Sequence, residues 1–126
     1  MYAILKDKEV VEITDALEWA RGFETTSRKV CHTVLNLRKN IFVSTVFLGL
    51  DHGVTERLWF ESMVFGTSIN ERTFRYSTWA AAEKGHKVLV RQARQARQLR
   101  GTSRLDRKKV LKQMDKVLVR MRREYK

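Results

Sequence analysis

Hydrophobic and polar positions along this chain change rhythm twice. Tyr2–Lys6 and Glu9–Ile13 are short apolar runs on either side of Asp7-Lys8, a pattern that predicts a β-hairpin. Thr14 then reads as a helix N-cap, with Asp15 and Glu18 in a first turn where the helix dipole favours acid. Ile13, Leu17, Ala20 and Phe23 mark one face of a short helix that ends near 22–25, with Trp19 beside it. From Arg28 to Leu37 the period drops to two, imperfectly. Cys31, Thr33, Leu35 and Leu37 form one face, and Val30, His32, Val34 and Asn36 the other. After a turn at Asn40, Phe42–Leu50 is apolar on both faces, which predicts a central strand. Leu58–Phe65 is strand-like too, with Glu61 on the face shared by Trp59, Met63 and Phe65. A turn at Asn70 precedes a shorter strand around Thr73–Tyr76.

Past Tyr76 the rhythm becomes helical. Thr78 is a cap, Trp79-Ala-Ala-Ala-Glu opens with strong helix formers, and the helix should run to about Leu99. Gly101 breaks it, and Ser103-Arg-Leu-Asp106 resembles a capping box. Leu111, Met114, Leu118, Met121 and Tyr125 then recur at alternating spacings of three and four, the seam of a last helix. The chain therefore reads as one α+β domain over residues 1–126. Residues 1–77 form an antiparallel sheet with a short early helix, and residues 78–126 form two C-terminal α-helices as a basic hairpin. A seam on so short a helix needs a partner: the Thr78–Leu99 helix, the sheet or a second subunit. It is longer than the preceding helix covers, so a homo-oligomer, a dimer or a multiple of dimers, is expected.

Charge divides the chain at nearly the same place. Residues 1–83 carry 10 Lys/Arg against 11 Asp/Glu, whereas residues 84–126 carry 16 against 3, a net of +13. A charge so concentrated points to an anionic partner. Arg91, Arg94, Arg97 and Arg100 recur every three residues, Arg104 and Arg107 continue the run, and no acid occurs between 84 and 105. With 43% hydrophobic and 32% charged residues the chain is globular. It has no proline, which favours long uninterrupted elements. No apolar run reaches the ~18 residues that would cross a bilayer. The N-terminus lacks the layout of a signal peptide, and the single Cys31 suits a reducing compartment, so a cytoplasmic location and no membrane association are expected.

Catalytic chemistry finds little purchase. Asp51-His52-Gly53 at a strand end reads as a turn, because no nucleophile or second carboxylate is fixed beside it by sequence. No zinc spacing, Walker loop or Ser/His/Asp pattern occurs, so no enzyme activity and no cofactor are expected. Binding chemistry is better represented. Trp59, Phe60, Phe65, Phe74, Tyr76 and Trp79 interleave with Arg57, Glu61, Asn70, Arg72 and Arg75. Aromatic faces stack on bases, arginines hold phosphates, and amides or carboxylates take ribose and base edges. Glu61, a carboxylate on an apolar face, needs a partner: Arg57, Arg75, His86 or a ligand hydroxyl.

The segments Val43-Ser-Thr-Val-Phe-Leu-Gly-Leu-Asp-His52, Phe60-Glu-Ser-Met-Val-Phe-Gly66, Arg75-Tyr-Ser-Thr-Trp79 and Glu83-Lys-Gly-His86 resemble a widespread family of small phage and prophage proteins. The layout of an N-terminal sheet and two C-terminal helices also resembles the first Thoeris anti-defence family. That resemblance implies a sponge. It would bind a cyclic ADP-ribose isomer, or a related cyclic nucleotide, at a subunit interface and hold it without cleaving it. On that reading Phe65 or Trp79 stacks on adenine, Arg75, Arg91 and Arg94 neutralise the two phosphates, and Glu61 or Asn70 takes ribose hydroxyls. The rival expectation is a nucleic-acid-binding protein acting through residues 84–126. A third is an inhibitor that docks its basic helices on an acidic protein surface.

Overall fold

The computed structural model describes residues 1–51, 53, 56–66 and 73–98, and beyond these residues 108, 112, 113, 116, 117, 119 and 120; the side chains of 96–98 lie outside the description. The architecture is α+β, with two antiparallel sheets rather than the one expected. Strands β1 (Tyr2–Lys6) and β2 (Glu9–Ile13) pair as a hairpin, with Tyr2 opposite Ile13 and Lys6 opposite Glu9. Asp7 and Lys8 at its tip have φ of 49° and 69°, the left-handed conformation of a tight two-residue turn. The hairpin joins the larger sheet by backbone contacts at its margin. Tyr2 bridges to Leu50, and the Ala3 amide donates to the Gly49 carbonyl at 3.0 Å.

Helix α1 (Ala16–Thr25) is ten residues long and begins one residue later than expected. Asp15, not Thr14, is the N-cap: its carboxylate accepts from the Leu17 and Glu18 amides at 2.8 and 3.1 Å. Trp19 and Phe23 from α1 stack at 5.0 Å, and Tyr2 closes on Trp19 at 4.9 Å. Gly49 lies beneath this cluster with φ +74°. A Cβ there would come within 2.5 Å of the Phe23 ring, so the position requires glycine on both counts.

Strands β3 (Lys29–Asn36), β4 (Ile41–Phe47), β5 (Phe60–Phe65) and β6 (Thr73–Tyr76) form an antiparallel meander in sequence order. As expected, β4 lies inside the sheet. Breaks in the β3–β4 register between Lys29 and Cys31 and between Val34 and Asn36 explain the imperfect alternation of β3. They let Val30 as well as Leu35 reach the core. Helix α2 (Trp79–Gln98) crosses one face of this sheet and touches all four strands. Thr78 caps it, accepting from the Ala81 amide at 3.1 Å.

The core lies between α2 and that face. Val43, Phe47, Phe60, Val64, Phe74 and Tyr76 meet Ala82, Leu89, Val90 and Ala93, with Ala3 and Leu5 reaching in from the hairpin. Trp59 is buried there as well, whereas Glu61 is on the other face. The shared face expected for these two fails because Trp59 precedes β5 and does not follow its alternation. Gly85 lets α2 close on β6, since a Cβ at that position would run into the Tyr76 ring. Lys108, Lys112, Gln113, Lys116, Val117, Val119 and Arg120 are helical. The seam residues Leu111, Met114, Leu118, Met121 and Tyr125 lie outside the described residues, as do His52, Asn70 and Arg72.

Candidate functional site

Strand parity decides where each candidate side chain goes. In β4 and β5 the residues alternate between a buried face under α2 and a half-buried face away from it. Phe65, Glu61 and Arg75 belong to the second face. Phe65 stacks on Phe42 with centroids 4.5 Å apart, and His32 joins the row at 5.2 Å from Phe42. Glu61 and Arg75 are cross-strand neighbours, and Arg75 Nε donates to Glu61 Oε2 at 3.1 Å. The two are thereby paired within the sheet. Arg57 is engaged elsewhere, 3.0 Å from Glu12.

Arg91 and Arg94 lie on the opposite side of the molecule, on α2. They line a groove of about 590 Å³ together with Thr33, His86, Lys87, Val90 and Gln95. Lys87, Arg91 and Arg94 follow the i, i+4, i+7 spacing that puts them on one helical face. All three are exposed. Glu83, one turn earlier, is held by the Trp79 indole N–H.

Trp79 occupies a third location. It lines a separate hollow of about 490 Å³ with Lys8, Glu9, Val10, Ser77, Thr78 and Ala80, and the Lys8 ammonium is 5.7 Å from its ring centroid. The structure thus joins Arg91 with Arg94 and Glu61 with Arg75, and holds Phe65 and Trp79 apart from both arginines of the groove.

The residue that sequence reasoning assigned least clearly is His86. Weighed as a partner for Glu61, it instead faces the buried side of the sheet and is only 4% exposed. Its Nε2 is 2.8 Å from Thr33 Oγ1 and its Nδ1 is 2.7 Å from Thr45 Oγ1. Thr45 Oγ1 in turn is 2.5 Å from Ser62 Oγ. Burial holds the His86 pKa below its ordinary value, and His32 adds to the effect. At the end of this chain the Tyr76 hydroxyl is buried close to Ser62 but completes no hydrogen bond. Burial pushes its pKa up to about 12, opposed only in part by Ser62. The signal that could have located this network is three polar residues, Thr45, Ser62 and His86, at positions whose neighbours two or four residues away are core.

Ser62 and Thr45 are fully buried, so no substrate carbonyl or phosphate can reach either oxygen along this network. Asp51 is also accounted for. Its Oδ1 accepts from the Gly53 and Leu58 amides at 2.9 and 3.1 Å, the turn bonding expected of it, and the Gly53 bond leads the lowering of its pKa. Burial is the main reason the Cys31 pKa is raised, with Glu83 adding to it. Among the described residues no helix is long and apolar enough to cross a membrane. No family model, curated protein or solved structure matches this chain.

Proposed function

We propose that the protein binds a phosphate-bearing nucleotide anion in the groove between α2 and β3 and holds it without cleaving it. The observation that carries this reading is the convergence of Lys87, Arg91 and Arg94 on one groove that also offers the Thr33 hydroxyl and the Gln95 amide. Arginine and lysine neutralise phosphate, and the amide and hydroxyl supply directed hydrogen bonds. The volume suits a nucleotide-sized ligand. The cyclic ADP-ribose isomer implied by the family resemblance, with its two phosphates, fits this donor set, and sequestration of such a signal in the host cytoplasm is the biological role we assign.

The ligand contacts differ from those expected of the sequence. Arg91 and Arg94 keep the phosphate role and Lys87 joins them. Phe65, Glu61 and Arg75 are left to the far face, and Trp79 to its own hollow. A homo-oligomer remains part of the proposal, resting on the C-terminal seam. Sedimentation at micromolar concentration giving only the 14.9 kDa monomer would remove that part.

One observation favours nucleic acid as a second reading. Lys84, Lys87, Arg91 and Arg94 are all exposed at spacings of three, four and three along α2. Such a stripe runs about 15 Å along a helix axis, enough to meet several phosphates. Titration calorimetry with the cyclic ADP-ribose isomer at low and high salt separates the two. Capture in the groove gives a stoichiometry near one or below, a modest salt slope and intact ligand on heat release. Absence of binding, or recovery of cleaved ligand over many turnovers, overturns the sponge reading. Retention of polynucleotide with a steep salt slope supports the second reading.

A further inference from the structure

The groove and the buried network meet at one residue. Thr33 lines the groove, and its hydroxyl is also the outer end of the chain Thr33, His86, Thr45, Ser62. Each hydroxyl in such a chain has one proton to donate, and neutral imidazole donates from one nitrogen and accepts at the other. The two His86 tautomers therefore set two states of the links at Thr33 and Thr45, and in the first the Thr45–Ser62 link can run either way. In that first state, Thr33 donates to His86 Nε2 and Nδ1 donates to Thr45. Thr33 then shows the groove only lone pairs. In the other, Ser62 donates to Thr45, Thr45 donates to Nδ1, and Nε2–H donates to Thr33, whose own O–H is free to point into the groove.

An anion between Lys87, Arg91 and Arg94 discriminates between these states. Lone pairs repel it and a hydroxyl proton attracts it. The second state needs only the proton of Ser62 itself, donated to Thr45, and leaves a Ser62 lone pair in the buried region that also holds the Tyr76 hydroxyl. Burial of His86, Thr45 and Ser62 keeps water from satisfying the links, so the directions at Thr33 and at Thr45 are tied together through the imidazole.

We infer that His86 is the positioning residue of the groove: by donating from Nε2 it frees the Thr33 hydroxyl to donate to the bound anion. This rests on the groove being an anion site. It also adds Thr33 to Lys87, Arg91 and Arg94 as a donor to the bound anion.

ADP-ribose is a suitable probe, since its diphosphate carries fixed charge near neutral pH. In ¹⁵N-detected spectra of the wild-type protein saturated with ADP-ribose, His86 Nε2 should carry the proton and Nδ1 should not. Thr33→Val should weaken ADP-ribose binding roughly tenfold or more, the scale of a hydrogen bond to a charged group. Thr33→Ser, which restores the hydroxyl, should recover most of it. Melting curves for both variants report whether the fold is intact, and the wild-type spectrum stands without either. Binding with Nε2 unprotonated, or equal affinities for the Val and Ser variants, overturns the inference while leaving the groove as an anion site. Failure of the wild type to bind ADP-ribose or the cyclic isomer overturns the anion site and the inference together.

Discussion

The two faces of the four-stranded sheet carry similar residue types and use them differently. Under α2, Thr45, Ser62 and His86 are buried in a hydrogen-bonded chain that reaches the surface at a basic groove. On the other face Phe42 and Phe65 stack on one another, and Glu61 and Arg75 pair. The first face joins polar groups to a space that a ligand can enter. The second spends its aromatic and ionic groups on itself. A list of arginines, carboxylates and aromatics in a segment thus says which chemistry is available. Which of them act together is decided by the parity of the strand.

The comparison breaks most readily through the core. Leu89→Ala, a fully buried side chain between α2 and the sheet, should lower stability by about 2–5 kcal/mol in urea melts, whereas half-buried Met63→Ala on the far face should cost clearly less. Equal costs would mean that the second face is as well packed as the first. Gly85→Ala should destabilise by about 1–3 kcal/mol through overpacking against the Tyr76 ring, and it should disturb the His86 network before it disturbs the hairpin.

Ligand binding sharpens the contrast. Replacing both Arg91 and Arg94 by Ala should weaken ADP-ribose binding by roughly a hundredfold or more with little change in melting temperature, since both are exposed. Arg75→Ala should do the reverse. Its ion pair with Glu61 is partly exposed, so its loss should cost no more than about 1 kcal/mol of stability and leave affinity unchanged. A large loss of affinity in Arg75→Ala would return the site to the far face.

The smallest effect is on pH. Burial lowers the pKa of His86 in the folded protein from 6.5. The unfolded chain therefore binds this proton first as pH falls, so stability is complete above 6.5 and declines as pH drops through that value toward the folded one. Urea melts at about pH 7.5 and 5.5 should show this decline in the wild type and a shallower one in His86→Gln. Identical pH dependence in the two proteins would remove His86 as its source.

Much of the fold was legible in the pattern of residues. The Asp7-Lys8 turn, the inside position of β4 and the Thr78 cap all follow from local chemistry, and all are present. The shift of the first cap from Thr14 to Asp15 was not legible, because both residues can cap and the choice depends on where β2 ends. The division into two sheets was not legible either, since it rests on long-range pairing that no local run encodes. For the site, Arg91 and Arg94 were identifiable from their spacing. Their distance from Phe65, Glu61 and Arg75 was not, because that distance depends on which face of the sheet receives α2. His86 was visible as a residue but not as a partner of Thr33 and Thr45, which lie 53 and 41 positions away.

The most direct measurement is an amide and side-chain NMR titration of the protein with ADP-ribose. Saturable shifts are expected at Thr33, His86, Lys87, Arg91, Arg94 and Gln95, with Phe42, Glu61, Phe65 and Arg75 unmoved. Shifts centred on that second group, or no saturable shift at all, would contradict the assignment of the anion site to the groove beneath α2.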